Sequence, residues 1–363
     1  MKSNLEALVE ALNLAGADAL FSQQPLHNGY LADFWEDGHE RLLLLAVSRT
    51  GASHLICPAL SVTQARRVGI ENIASWTDSE DPYRLVRQLA EAWDLRTGVI
   101  FVDHEMPAGM LLHLQDALPT ALFRTAEPVL SALMRTKQPG ELAKMREAAR
   151  IADETFESLP AVVVPGATER EIDAAIRHGM KRRGGVPTFC IVGIGPGGAE
   201  PHHLLGDATV RPGDVVLMDF GCEYARYQSD ITRVVAVGEP EPEAKRVYEV
   251  VYAAHMAGLA AVRPGVTAGQ VDAATRQVIE AAGYGPRFVH RTGHGIGMRG
   301  HEAPYIMAGS DVVLQPGDCF SIEPGVYLEG RFGVRLETIV TVTEDGCENL
   351  NAPISPTLPI WAG

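Results

Sequence analysis

The chain has 363 residues, which exceeds the roughly 100 to 200 residues of one ordinary domain, so two domains are expected. Apolar residues make up 46% of the sequence, and 46 Asp and Glu against 31 Lys and Arg give a formal net charge of -15. A surface this acidic argues against binding to nucleic acid or to an anionic membrane, because both attract basic patches.

The cysteines and the N-terminus indicate the compartment. The five cysteines are scattered and never form a Cys-x-x-Cys pair, so neither a disulfide framework nor a thiolate zinc site is indicated. Glu6 and Glu10 interrupt the apolar N-terminal pattern, unlike the apolar region of a signal peptide, and no apolar run approaches membrane-spanning length. We therefore expect a cytoplasmic protein that does not bind membranes.

Residues 1–132 are predicted to form an α/β domain, because short apolar runs alternate there with helical patterns. The runs are RLLLLAV (41–47), SHLICPAL (53–60), YRLVRQLAEAW (83–93), GVIFVDH (98–104) and AGMLLHLQDAL (108–118). Its histidines, among them His27 and His104, have no partner at ligand spacing, so we interpret them as structural or facing solvent. No catalytic constellation is found in this domain.

The pattern changes near residues 133–139, which are predicted to be a linker ahead of a second domain at 140–363. Pro139 stands at the start of a long helical pattern (139–159), where helices accept proline. Two further helical patterns (242–262 and 267–283) lie among strands rich in Val, Ile and Thr. This mixture predicts an α+β domain rather than repeated βαβ units.

An internal duplication indicates where the site lies in the second domain. PGATEREID (165–173) recurs as PGVTAGQVD (264–272), a displacement of 99 residues that also carries His202 onto His301. RPGDVVLMDFG (211–221) recurs as QPGDCFSIEPG (315–325), and each copy continues through a second strand to another carboxylate, Asp230 or Glu337. We expect a pseudo-twofold fold whose polar residues converge on one face.

Four carboxylates of these strands, together with His294, predict a metal site. Asp219 and Glu323 lie in apolar strand patterns, where an ionised carboxylate requires a strong partner. With Asp230 and Glu337 they would repel one another unless cations neutralised them, and two divalent ions supply the matching charge. Oxygen-rich ligation with one imidazole indicates Mn²⁺, Co²⁺ or Zn²⁺. Taken singly, each carboxylate could instead cap a turn or pair with Arg233 or Arg335.

These residues resemble the signature of the creatinase/aminopeptidase-fold ("pita-bread") metallopeptidases. The matching stretches are PHH at His202, MDFG at Asp219, SDITR at Asp230, HRTGHGIG at His294, HEAP at His301, SIEPG at Glu323 and RLET at Glu337. The resemblance covers residues 135–345, preceded by a family-like N-terminal domain. It implies that Asp219 chelates one ion, that His294 and Glu323 hold the other, and that Asp230 and Glu337 bridge them.

The resemblance also implies catalytic and binding roles. Glu323 would accept and deliver a proton, and His202 and His301 would hydrogen-bond the substrate and the tetrahedral intermediate. Likeness to the proline-specific branch implies short proline-containing peptides as substrates, a homodimer, and an Arg335 that contacts the substrate. A second interpretation of Arg335, as a partner of Glu337, stays open.

Some positions depart from the family pattern. Gly197 and Glu200 stand where a small polar and an apolar residue are common, and Thr338 stands where an acid is frequent. The alternatives are a creatinase-like hydrolase of a C–N bond and a non-catalytic binding module, both of which are expected to have lost metal ligands. All five predicted ligands are present here, which favours a metallopeptidase.

Overall fold

A computed structural model describes residues 3–362, and these residues divide after Met134 into two compact units. This division falls within the segment 133–139 that the sequence predicts to be a linker. Each unit is described by itself below. No helix within residues 3–362 is both long enough and apolar enough to cross a membrane.

The first unit is one six-stranded mixed sheet with helices on both faces. Its helices are α1 (Asn4–Ala15), α2 (Pro25–Ala32), α3 (Val62–Arg67), α4 (Tyr83–Ala92), α5 (Ala108–Ala117) and α6 (Glu127–Arg135). Its strands are β1 (Ala19–Ser22), β2 (Leu44–Ser48), β3 (Ser53–Pro58), β4 (Ile73–Trp76), β5 (Val99–Val102) and β6 (Leu122–Thr125), in the spatial order β4-β3-β2-β1-β5-β6. The predicted α/β class is confirmed.

Alternation along the strands explains the layers of this unit, because successive side chains of a strand point to opposite faces. Phe21 of β1 packs with Leu89 of α4 in one core, whereas its neighbour Leu20 packs with Leu12 of α1 in the other. Strands buried on both faces read as continuous apolar runs, which is the pattern of RLLLLAV in the sequence.

The second unit contains two five-stranded sheets, a two-stranded hairpin and four long helices. The helices are α7 (Pro139–Glu157), α8 (Glu169–Arg182), α9 (Pro242–Ala261) and α10 (Ala268–Ala281). The first sheet has the order β18-β10-β8-β7, with β9 paired to β8, and comprises β7 (Val186–Ile194), β8 (Val215–Tyr224), β9 (Tyr227–Gln228), β10 (Ile231–Val237) and β18 (Ile360–Trp361). The second has the order β12-β11-β13-β16-β17 and comprises β11 (Gly293–Gly295), β12 (Glu302–Ile306), β13 (Cys319–Ile322), β16 (Thr338–Val342) and β17 (Cys347–Asn349). The hairpin joins β14 (Gly325–Leu328) to β15 (Phe332–Arg335).

The internal duplication corresponds to equivalent elements in the two halves of this unit. Thr168 and Thr267 each cap a 14-residue helix by accepting a hydrogen bond from the backbone N–H three residues later, at Glu171 and Gln270. Both caps are capping boxes, which satisfy backbone donors that the first helical turn leaves free. Each half then continues into an antiparallel strand pair, β8 with β10 and β13 with β16.

Gly258 allows α9 to approach its neighbours closely. A β-carbon at this position would lie 2.6 Å from Oγ1 of Thr275 in α10 and 2.9 Å from Cγ2 of Ile322 in β13. Both distances are shorter than van der Waals contact, so α9 accepts no larger side chain here without displacing the strand that leads to Glu323.

We predict that Gly258→Ala lowers the free energy of unfolding by about 1 to 3 kcal/mol, as overpacking typically does. Gly140, in the first turn of α7, is the matched control, because a β-carbon there would meet nothing within 4 Å. Gly140→Ala should stabilise by roughly 0.5 to 1 kcal/mol through reduced unfolded-state entropy. Urea unfolding of both variants measures the difference. A Gly258→Ala protein as stable as the parent would contradict the tight α9 packing.

Candidate metal centre

The five predicted ligands lie in or beside strands of the two five-stranded sheets of the second unit, and they face one cavity of about 800 Å³. Asp219 lies within β8, Asp230 directly precedes β10, and Glu337 directly precedes β16. Glu323 directly follows β13, and His294 is the central residue of β11. The cavity is also lined by Phe189, Ile191, Pro201, His202, Val289, His290, Arg291, Gly300, His301 and Arg335.

Strand alternation selects which side chains reach this cavity. In β8, Leu217 shares its face with Asp219, while Met218 and Phe220 point into a separate core on the other face. Thr232 of β10 stands directly opposite Asp219 in the antiparallel pair, so both polar side chains lie on the same side of the sheet. An acid at position 218 would be buried in an apolar core, whereas an acid at 219 faces the site.

Three overlapping groups of donor atoms could each hold a cation. Their members are Asp219, Asp230 and Glu337; His294, Glu323 and Glu337; and Asp230, His294 and His301, with ligand atoms within 4.8 Å of one another in each group. Nε2 of His294 lies 3.3 Å from Oε1 of Glu323 and 3.7 Å from Oδ2 of Asp230. Asp230, Glu337 and His294 occur in two groups each, so these three lie in the shared middle of the cluster.

His294 is held as a neutral imidazole with one lone pair facing the carboxylates. Its Nδ1 lies 3.1 Å from the carbonyl oxygen of Gly295, so this nitrogen carries the proton and donates it there. Nε2 is then the available donor toward a cation. Burial lowers the pKa of His294 to about 3, with the positive field of neighbours such as His301 and Arg291 acting in the same direction.

The carboxylates are oriented by specific hydrogen bonds. Thr232 Oγ1 donates to Glu337 Oε2 at 2.6 Å, and Ser321 Oγ donates to Glu323 Oε1 at 3.1 Å. Arg335 Nη2 donates to Asp219 Oδ2 at 2.6 Å, whereas Asp219 Oδ1 is buried and has no hydrogen-bond partner. A buried carboxylate oxygen without a donor is costly, so Asp219 requires a further positive partner.

Mutual repulsion adds to the cost of burying these acids. Burial raises the pKa of Asp230 well above its usual value, and the charges of Glu337 and Asp219 raise it further. The pKa of Glu337 is also raised well above its usual value, mainly by burial and further by the charges of Glu323 and Asp219. Burial raises the pKa of Glu323 to about 7 against the opposing effect of Arg335. Cations would reverse this balance by favouring the ionised forms.

The donor set fits divalent metal ions. Carboxylate oxygens dominate it, one oriented imidazole completes it, and no thiolate takes part, which suits Mn²⁺, Co²⁺ or Zn²⁺ better than a structural zinc site. Bound cations would partner the buried Asp219 oxygen and offset the raised pKa values of Asp230 and Glu337.

The three other residues singled out in the sequence also line the cavity. The imidazole of His301 lies against that of His294, with ring centroids 3.8 Å apart and the ring planes tilted by 39°. His202 is exposed and lines the cavity. Arg335 is buried, and its guanidinium donates to Asp219, Thr232 and the hydroxyl of Tyr327.

Sequence reasoning missed the polar residues behind the ligands. Tyr327 accepts a hydrogen bond from Arg335 at 2.8 Å and donates one to Nε2 of His290 at 2.8 Å, while Nδ1 of His290 donates to the carbonyl of Arg291. Thr232 lies in SDITR and His290 in HRTGHG, so the motifs themselves were the available signal. No sequence spacing links Tyr327 to either.

We predict that protein stripped of divalent ions loses stability as the pH rises from 4.5 to about 7. Glu323 ionises near 4.5 in the unfolded chain but only near 7 in the folded protein. Folding therefore takes up a proton in this window, and the free energy of unfolding falls as pH rises. Glu323→Gln should stabilise the stripped protein above pH 7 and leave it unchanged below pH 4.5.

Thermal unfolding at the two pH extremes measures this difference. Glu344→Gln, which neutralises an exposed carboxylate, is the matched control for the change in net charge. An equal gain for the two variants at high pH would contradict the interpretation of Glu323.

Comparison with known proteins shows the family of the chain. Residues 143–344 match the model of metallopeptidase family M24, and residues 4–135 match the creatinase/prolidase N-terminal domain. The probable dipeptidase PepE of Mycobacterium tuberculosis is 42% identical over 89% of this chain and 86% of its own length. The Xaa-Pro dipeptidase of Lactobacillus helveticus is 36% identical over 94% of this chain and 95% of its own.

A solved structure shows the same fold. The crystal structure of recombinant prolidase from Thermococcus sibiricus is 33% identical and superimposes with a TM-score of 0.93 over 99% of both chains. The predicted pita-bread fold and the family resemblance are thereby confirmed. The chain belongs to metallopeptidase family M24, with a creatinase/prolidase N-terminal domain.

Proposed function

We propose that this protein is a dinuclear metal-dependent exopeptidase that hydrolyses the peptide bond before proline at the N-terminus of short peptides. The observation that carries the proposal is the convergence of Asp219, Asp230, His294, Glu323 and Glu337 on one cavity, in a member of a metallopeptidase family. The Xaa-Pro dipeptidase of L. helveticus supports the substrate class.

Two divalent ions would be held by this set of side chains. Asp219 would chelate one ion and His294 and Glu323 would bind the other. Asp230 and Glu337, the two carboxylates that occur in two donor groups each, would bridge them. When bound, the ions supply Lewis-acid polarisation of the scissile carbonyl and a lowered pKa for an attacking water.

The chain's own residues then supply proton transfer and orientation. Glu323 is the proposed proton carrier, and Ser321 fixes one of its oxygens by a hydrogen bond at 3.1 Å. His301, stacked beside His294, and His202 on the cavity wall would hydrogen-bond the substrate and the developing oxyanion. Arg335, Thr232 and Tyr327 would keep Asp219 and Glu337 in position.

The cavity suits a short peptide that contains proline. Its volume of about 800 Å³ is that of a small-ligand site. Phe189, Ile191 and Val289 give it an apolar wall for the pyrrolidine ring. An Xaa-Pro bond lacks an N–H, so a site for it needs no acceptor for that group.

The alternatives from the sequence have less support. A creatinase-like C–N hydrolase or a binding module would not need a full set of metal ligands, and this chain keeps all five around a cavity. Homodimerisation and a cytoplasmic location stay predictions from the sequence.

We predict that chelation of divalent ions abolishes hydrolysis of an Xaa-Pro dipeptide and lowers the melting temperature. The loss of stability follows because four buried carboxylates are left to repel one another. Added Mn²⁺, Co²⁺ or Zn²⁺ should restore both properties, with an occupancy of two ions per chain by elemental analysis. Stripped protein that cleaves the dipeptide at an unchanged rate would overturn the proposed function.

Two roles for Arg335 are compared by experiment. Its three hydrogen bonds support a role in holding Asp219, and in holding Glu337 through Thr232. The family resemblance implies instead that Arg335 captures the carboxylate of a short substrate, for which a guanidinium is well suited.

We predict that Arg335→Ala weakens hydrolysis of Xaa-Pro by the roughly 2 to 5 kcal/mol expected when a charged partner is removed. Capture of the substrate carboxylate predicts a selective loss on Xaa-Pro relative to Xaa-Pro-Xaa-Xaa. Support of Asp219 predicts equal losses on both peptides together with reduced metal occupancy. Arg331→Ala, on the same hairpin but paired with Glu241 and Glu243 at the surface, is the control and should retain activity on both.

A further inference from the structure

The segment 195–206, which carries His202, is fixed by a buried carboxylate outside the metal centre. Glu169, the first residue of α8, has a fully buried side chain. Its Oε1 accepts a hydrogen bond from the backbone N–H of Ile194 at 3.2 Å, and its Oε2 accepts one from Gly206 at 2.7 Å. One carboxylate therefore joins the end of β7 to the far end of the segment.

His203, the residue after His202, lies between this carboxylate and a second one. Its Nε2 is 3.1 Å from Oε1 and 3.2 Å from Oε2 of Glu169, and its Nδ1 is 2.9 Å from Oε2 of Glu200. We call Glu169, Glu200 and His203 the His203 cluster. The imidazole is only 15% exposed, so water cannot fully take the place of its hydrogen bonds to Glu169 and Glu200.

The chemistry of imidazole fixes the charge of this residue. A neutral imidazole has one N–H and one lone pair, so it can donate to only one carboxylate and turns its lone pair toward the other. An imidazolium donates from both nitrogens. Burial alone would lower the pKa of His203, but the hydrogen bonds to Glu200 and Glu169 outweigh it and raise the pKa.

Two residues that depart from the family pattern lie at the His203 cluster: Glu200 is a member of it, and Gly197 adjoins the imidazole. A β-carbon at Gly197 would lie 2.9 Å from Cε1 and 3.0 Å from Nε2 of His203, so only glycine leaves room for the imidazole. Glu200 supplies the second carboxylate. The contacts of His203 thus explain Gly197 and Glu200, two of the positions that depart from the family pattern.

We propose that His203, as an imidazolium held between Glu169 and Glu200, is a positioning residue that keeps His202 directed into the catalytic cavity. Loss of its proton as the pH rises through its pKa removes one of the two hydrogen bonds and loosens the segment beside the substrate. The kinetic part of this inference rests on the proposed peptidase activity, whereas the protonation state of His203 does not.

The first test measures the pKa of His203 by NMR in full-length protein labelled at the histidine rings, with the resonance assigned by its absence in His203→Gln. We expect a value above 6.5, the ordinary value for histidine. Glu200→Gln keeps a hydrogen-bond acceptor but removes the charge, and should lower the pKa of His203 only modestly, since Glu200 is largely exposed. Asp207→Asn is the matched control, because this acid of the same segment pairs with Arg170.

The second test compares kcat/KM for an Xaa-Pro dipeptide as a function of pH, with divalent ions supplied. The alkaline limb should move to lower pH in Glu200→Gln by the same amount as the NMR pKa, chiefly through KM, and should not move in Asp207→Asn. A His203 pKa below 6.5, or equal shifts in the two variants, would overturn the inference. A parent enzyme inactive on every Xaa-Pro peptide, with the NMR result intact, would instead overturn the proposed function.

Discussion

Electrostatic repulsion among Asp219, Asp230, Glu323 and Glu337 is the constraint on which the second unit depends. Burial and the charges of neighbouring acids raise the pKa values of Asp230, Glu323 and Glu337, which face one cavity together with Asp219. No arrangement of neutral side chains removes this cost. The fold therefore places the acids within or directly beside paired strands, where cations held in the cavity would lie within reach of all four.

The residues around the ligands follow from the same constraint. The guanidinium of Arg335 offsets part of the charge at Asp219, and Thr232 links that guanidinium to Glu337. His294 is kept neutral by burial, with its proton directed to Gly295, so its lone pair and not a positive charge faces the acids. The strand that carries His294 lies close to β13, and only glycine fits at position 293, because a β-carbon there would lie 1.8 Å from the carbonyl oxygen of Ser321.

Outside the metal centre, the chain uses the opposite arrangement of charge. In the His203 cluster, two carboxylates contact one imidazole, which favours a positively charged His203. His294, in contrast, is neutral. The difference lies in the surroundings: His294 is 3% exposed and next to His301 and Arg291, whereas His203 has Glu169 and Glu200 as neighbours. The two histidines thus have different proposed roles, His294 as a metal ligand and His203 as an anchor of the segment 195–206.

The sequence by itself determined the local features and the composition of the candidate site. The helical patterns at 83–93 and 139–159 correspond to α4 and α7. Such helices can be predicted from the sequence because the spacing of apolar residues and a proline at the helix start are local signals. The motifs and their duplication also identified the five candidate ligands that the structure brings together. Tertiary structure alone decided the partners: Arg335 meets Asp219 across 116 residues, and His27, which the sequence left isolated, meets Asp103 across 76. Contacts of this kind depend on which strands lie side by side, and strand order is set by packing of the whole unit and not by any local spacing.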